Sequence, residues 1–302
     1  MAIDFFANTS DVRKFVKGID AGVLIDSFDP PFRPAKMRLI NLIGQETYDL
    51  LLAYYANPDP EDELKAAAVE YAQGALANIL ALAYFYFDSG NRNNTDNNLY
   101  RYQEDKIIEQ YIENAYSELS FLITILESDT TKFSDFAATD TYKNREKLYI
   151  KSANQFDQYY NIDKSAYFFY NATYLMVEVQ SNAMFARIKG FPAMEESLST
   201  NEDLIYAIGK AIAFETMSKA CLRLDYTELP KGIRNDIIKE IDASVDRTKL
   251  MNVKEALSVR LHEEGKEYFR RIETEINKAK NSGTIIIPDD INNEDNKFYL
   301  QT

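Results

Sequence analysis

Apolar residues recur at steps of three and four along most of this chain, the spacing that lines one face of an α-helix. The clearest run is Leu64, Ala68, Tyr71, Ala75, Ile79, Leu82 and Tyr86. It is opened by Pro58-Asp59-Pro60-Glu61, where proline suits a first turn and the acids face the positive end of the helix dipole. Between Ala75 and Phe87 the remaining faces are apolar as well, so this helix is expected at the centre of its module. A second long helix, Gln103 to Leu126, keeps Ile108, Ile112, Ala115, Leu119, Leu122 and Leu126 on one stripe and acids elsewhere. Later segments repeat the pattern. A helix is expected from Lys164 to Lys189, capped by Asp163 and stopped by Gly190 and Pro192. Another follows Asn201 with Ala207, Ala211, Phe214, Met217, Cys221 and Leu224 facing inward, and a charged one from Val253 to Lys280 uses Leu257, Leu261, Tyr268 and Ile272. The periodicity predicts an all-α fold.

Punctuation between these runs sets the organisation. Thr9 and Ser10 read as caps of a short helix from Asp11, and Asp29-Pro30-Pro31-Phe32-Arg33-Pro34 as extended chain before a helix starting near Pro34. Leu39-Ile40-Asn41-Leu42-Ile43-Gly44 and Phe185-Ala186-Arg187-Ile188-Lys189-Gly190 both precede an apolar helix at a nearly constant offset, which reads as an internal duplication. Each glycine tolerates the left-handed dihedrals of a helix end. Residues 128–145 are polar and weakly periodic, so the expected organisation is a first helical-bundle module over 1–140, a second over 141–282 and an extended arm over 283–302. Within that arm Gly283-Thr284-Ile285-Ile286-Ile287-Pro288 is β-branched and reads as a short strand. The polar stretch after Asp88, rich in Asn, Asp and Gly, reads as a loop.

Composition narrows the function classes. A net charge of −14 over 302 residues opposes binding to phosphate backbones and anionic membranes. Cys221 is the single cysteine, so no internal disulfide is available, and no Cys/His cluster offers zinc ligands. The start Met1-Ala2-Ile3-Asp4-Phe5-Phe6 lacks a basic and apolar export signature, and the most apolar run, Ala75 to Phe87, falls short of the ~20 residues of a membrane-spanning helix. The expected setting is inside a cell.

Catalytic chemistry finds little support. His262, the only histidine, lies in Arg260-Leu261-His262-Glu263-Glu264 and reads as a solvated surface residue; one histidine excludes the paired Glu-x-x-His helices of di-iron bundles. Cys221 sits on an inward stripe and reads as a small buried hydrophobe. Phosphate-binding glycine loops and the Gly-x-Ser-x-Gly elbow are missing from the sequence. No catalytic residue, cofactor site or metal site is assigned. The aromatic usage is more informative: 21 Tyr and 18 Phe with no Trp. Tyr84-Phe85-Tyr86-Phe87 and Tyr167-Phe168-Phe169-Tyr170 carry more aromatic surface than one stripe can bury, and both core packing and a protein interface remain open to them. Tyr84, Phe85, Tyr86 and Phe87 are candidate interface residues, together with Ile285, Ile286, Ile287, Phe298 and Tyr299 of the arm.

Leu42-Ile43-Gly44-Gln45-Glu46-Thr47-Tyr48-Asp49-Leu50-Leu51, followed by an acidic helix start and an Ala-rich helix ending in tyrosines, resembles the first module of the small helical head-tail connector proteins of tailed bacteriophages. Lys151-Ser152-Ala153-Asn154-Gln155-Phe156, Tyr160-Asn161-Ile162-Asp163-Lys164-Ser165 and Val177-Glu178-Val179 are similar to the duplicated form in phages and prophages of Bacteroidetes. The resemblance covers roughly residues 36–280. It implies a virion protein forming a ring, usually of twelve copies, docked below the portal protein with other neck or tail proteins. The ring would surround the DNA channel and be assembled in the host bacterial cytoplasm. The resemblance carries no catalytic residues, cofactor or membrane contact. The acidity suits a channel that lets DNA slide, and Glu104, Glu109 and Glu113 are candidate channel-facing acids. The competing expectation is a non-enzymatic helical protein-binding or regulatory adaptor that uses its aromatic clusters; carboxylate-only enzyme chemistry in a helical cavity is a third.

Overall fold

The computed structural model describes residues 3–19, 22–92, 101–181, 201–240 and 247–281, and these are all-α: thirteen α-helices and two 3₁₀ turns, with no strand among them. The chain divides into two compact units, Met1–Lys147 with Ser165–Asn171, and Leu148–Lys164 with Ala172–Thr302. The sequence placed a boundary after residue 140. Two short helices that the polar stretch conceals carry the first unit seven residues further, to Lys147.

The first unit contains α1 (Thr9–Phe15), α2 (Asp29–Ile43), α3 (Gln45–Ala56), α4 (Glu63–Arg92), α5 (Arg101–Ser128), α6 (Ser134–Ala137), α7 (Asp140–Glu146) and, from later in the chain, α9 (Ala166–Asn171). Its frame is the α4/α5 pair. Tyr71 stacks on Phe121, Gly74 faces Glu118 and Phe85 meets Tyr111, so the two helices run antiparallel. Over Glu63–Tyr86, with mean hydropathy 1.2, α4 is long and apolar enough by length and composition to cross a membrane. In this unit it is the central helix, with Ala68, Ala72, Ala75, Leu76, Ala77 and Leu80 buried and α1, α2, α3 and α5 packed around it. The tip of the chain plugs this core: Phe5 and Phe6 are fully buried, Gln73 Nε2 donates to the Phe5 carbonyl at 2.7 Å, and Tyr48 Oη donates to Asp4 at 2.9 Å.

Two local expectations change. The prolines at 30 and 31 lie inside the first turn of α2, where backbone N–H groups have no helical partner anyway, and Pro34 is accommodated inside the helix, so the segment is helical rather than extended. Asn8 caps α1, its side chain accepting from the Ser10 and Asp11 amides. Gly44, with φ 87°, forms the joint between α2 and α3 as its helix-end position implies. The corresponding segment Phe185 to Gly190 lies outside the described residues, and so does the arm over 283–302.

The second unit contains α8 (Ala153–Tyr159), α10 (Thr173–Ser181), α11 (Glu202–Arg223), α12 (Lys231–Glu240) and α13 (Arg247–Asn281). Its frame is again a long pair. Ser218 meets Ser258, Glu215 meets His262 and Phe214 stacks on Tyr268, so α11 and α13 are antiparallel. Asn201 caps α11 as its sequence indicates, accepting from the Leu204 amide at 3.1 Å. At the other end the buried Lys254 donates to the Leu224 carbonyl at 2.9 Å, a cation placed on the negative end of the helix dipole.

The helix expected from Lys164 to Lys189 is interrupted at Ala172, which separates α9 from α10, and its part over 182–189 lies outside the described residues. Asp163 does not cap it; Asp163 and Lys164 both adopt left-handed backbone, at φ 56° and 54°. Tyr167, Phe168, Phe169 and Tyr170 are all buried, so α9 is covered on every side rather than along the one stripe of a surface helix.

Candidate functional site

The aromatic candidates at the end of α4 separate by environment. Tyr84 packs on Phe28 with ring centroids 5.5 Å apart and Phe85 meets Tyr111 edge-on at 6.5 Å, so these two contribute to packing within the first unit. Tyr86 is 55% exposed. Phe87 lies on the helix, but its side chain is outside the described residues, as are Ile285, Ile286, Ile287, Phe298 and Tyr299.

A different aromatic pair is partly open. Tyr71 and Phe121 stack across α4 and α5 at 5.3 Å, and Phe121 is 51% exposed. One turn away, Glu118 lies over Gly74, whose missing side chain makes the space: a Cβ there would stand 2.8 Å from the carboxylate. Burial first, and then the charge of Glu70, hold the Glu118 carboxyl above the usual carboxylate range. The apolar stripe of α5 does not include Phe121, so the sequence pattern gives no signal for this patch.

The three channel candidates lie on α5, where neighbouring residues are rotated by about 100°. Glu109 and Glu113 are one turn apart and share a face. Glu104 is rotated from them by about 140° and 180° and belongs to another. The structure therefore brings two of the three acids together.

The His262 side chain is 44% exposed, in keeping with a surface position, but it is paired. Its Nδ1 lies 2.6 Å from Glu215 Oε1, and the Glu215 side chain is only 12% exposed, seated beside Gly265 on the opposite helix. Burial raises the Glu215 carboxyl and the neighbouring imidazole opposes that rise. A carboxylate that orients an imidazole is part of hydrolytic triads, but the serines one turn along are committed elsewhere. Ser218 Oγ donates to the Ser258 carbonyl and Ser258 Oγ to the Ser218 carbonyl, each at 2.9 Å and buried. This arrangement closes a helix crossing. Cys221 is fully buried, and its thiol is pushed up to about 12 by burial, as an inert core residue requires.

An open groove of about 380 Å³ follows the other end of the α11/α13 pair, between Asp203, Tyr206, Glu267, Tyr268 and Arg271. Its charges are mixed, Arg270 being paired with Glu267 at 3.2 Å. Among the described residues no group of three or more His, Cys, Asp or Glu side chains could hold a metal ion.

The most developed polar cluster fixes α9 in the first unit. Tyr170 Oη donates to Glu127 at 2.5 Å, Arg145 bonds the same carboxylate, and the Arg145 guanidinium lies 4.3 Å from the centre of the Tyr142 ring. Burial and the Glu127 charge push the Tyr170 hydroxyl well above the usual tyrosine range. At the other end of α9, Tyr167 stacks on Tyr116 at 4.5 Å and the Tyr167 amide donates to Ser120 Oγ at 3.1 Å. The aromatic excess of residues 167–170 was the sequence signal for this site; its partners on α5 and α7 carry no pattern of their own.

No family model, curated protein or solved structure matches this chain.

Proposed function

We propose that this chain is a structural subunit of the head-tail connector of a tailed phage. It would form a ring, of about twelve copies as the resemblance implies, docked beneath the portal and contributing to the neck channel. The observation that carries this reading is architectural. Each unit is framed by one antiparallel pair of long helices whose polar crossings, Glu118 over Gly74 and Ser218 with Ser258, serve packing rather than assemble a reaction centre. The segments that carry the resemblance lie on this frame: Leu42 to Leu51 spans the α2/α3 joint beside α4, and Lys151 to Phe156 leads into α8 beside α11. The net charge of −14 supports a wall along which DNA moves without sticking. Glu109 and Glu113 are the acids assigned to that wall.

The decisive measurement is the mass of the purified chain by light scattering, alone and with a portal protein, with imaging of the mixture. Rings, alone or on the portal, are the expected result. A monomer indifferent to the portal would replace this reading with a protein-binding adaptor, which the exposed Phe121, stacked on the half-buried Tyr71, favours. Reversing Glu109 and Glu113 to lysine should impair DNA passage; unaltered packaging and ejection would remove the channel assignment while leaving the ring intact.

A further inference from the structure

We infer that α9 is an exchangeable strap: in the assembled ring, Ser165–Asn171 of one copy occupies the α5 site of the next copy in place of that copy's own segment. This rests on the ring reading and specifies how neighbouring copies are linked.

The segment is a self-contained plug. It contributes a six-residue helix with four buried aromatic residues, and its own polar fixings to Ser120 and Glu127. The chain on both sides of it belongs to the second unit, so only this short piece enters the first. The contacts it makes are the same whether the plug arrives from its own chain or from another. Exchange of an identical element therefore keeps the contacts of α9 itself, and the conformation of the connecting turn, with the hydrogen bonds that brace it, helps decide the outcome.

That turn is under local strain. Asp163 and Lys164 are consecutive non-glycine residues in the left-handed region, at φ 56° and 54°. They are braced from below, with Asp157 Oδ1 accepting from the Ile162 amide at 2.9 Å and the Lys164 amide at 3.0 Å, and Asn161 Oδ1 from the Asp163 amide at 2.8 Å. Straightening the turn to reach a neighbour removes both left-handed residues. Strained hinges of this kind favour swapping over closure within one chain. Each copy gives one plug and accepts one, which fits a reciprocal pair as well as a head-to-tail series; the ring reading selects the series, which closes when the rotation allows.

Ser120 Oγ and Ser165 Oγ are 3.4 Å apart, which provides a direct test. Ser120→Cys is made in one tagged copy and Ser165→Cys in a differently tagged copy, and the two are co-expressed, oxidised or bridged with a short bis-maleimide, and run under denaturing, non-reducing conditions. The buried Cys221 does not compete. Light scattering and circular dichroism accompany every variant. An oligomer whose subunits form the mixed covalent dimer as the main product is the expected result, with a ladder from the chain carrying both cysteines. An oligomer that yields no mixed dimer, while the doubly substituted chain closes internally at monomer mass, overturns strap exchange and leaves the ring standing. A folded monomer with the internal closure overturns both. Asp163→Gly with Lys164→Gly relieves the turn and should reduce the mixed dimer several-fold; an unchanged yield would overturn the hinge argument.

Discussion

A methyl group at Gly209 would stand 2.2 to 2.5 Å from ring atoms of Tyr159, closer than any packed side chain allows. Gly209→Ala should therefore destabilise the second unit by about 1–3 kcal/mol, the usual range for overpacking, and trimming the ring with Tyr159→Ala should relieve the clash in the double variant. Urea unfolding of the single and double variants measures both terms. Glu118 tests the opposite kind of strain, a carboxylate held above its ordinary range by burial and the Glu70 charge. A raised acid contributes stability that is complete below the unfolded carboxylate range, near ~4.3, and is lost as pH rises through the folded value. Glu118→Gln should thus match the parent near pH 4 and melt higher at pH 7. Equal melting temperatures across that range would show the carboxylate to be indifferent to its site. Tyr170→Phe should cost about 1.5–3 kcal/mol, because the hydroxyl donates to a charged carboxylate and its loss removes one of the fixings of α9.

Helices come close where side chains are small, and the α11/α13 crossing shows how the frame depends on that. Ser218 and Ser258 bond each other's carbonyls reciprocally, so replacing both by alanine removes matched partners together and should be nearly neutral. Ser218→Leu adds volume at the same point and should cost about 1–3 kcal/mol by thermal melting. Much of this level was legible in the sequence. The periodic runs located α4, α5, α11 and α13, since each hides one apolar stripe against its neighbour and the stripe is recorded locally. The failures share a cause. Pro30 and Pro31 fit the first turn of α2, where no amide partner is lost, and Pro34 is carried inside a helix that buries Phe32 and Ala35. Tyr167 to Tyr170 look like part of a continuing helix, yet the chain turns at Asp163–Lys164 and breaks at Ala172, and the short helix between them is buried on all sides. His262 meets solvent as its sequence suggests, but its pairing is missed because the partner, Glu215, lies on another helix and leaves no trace at nearby positions. A pairing across elements is not encoded in the period of either one.

For the whole molecule, the consequence is that the two units are not two consecutive stretches of chain. Ser165–Asn171 belongs to the first unit although α8 of the second precedes it. Periodicity cannot reveal this, because a segment's spacing states which face is apolar and not which core receives it. A cut at Lys147, the sequential end of the first unit, would leave the surface of α5 beneath Tyr167 and Tyr170 uncovered and Glu127 and Arg145 without the Tyr170 hydroxyl. A fragment ending at Lys147 should therefore bind hydrophobic dyes and melt well below one ending at Asn171. Adding a peptide of residues 162–172 should restore part of the difference, since the plug carries its contacts with it. Equal stability of the two fragments would show that α9 merely rests on the first unit. Restoration by the peptide would show that the α5 site accepts its occupant from outside the chain, the property on which exchange between copies depends.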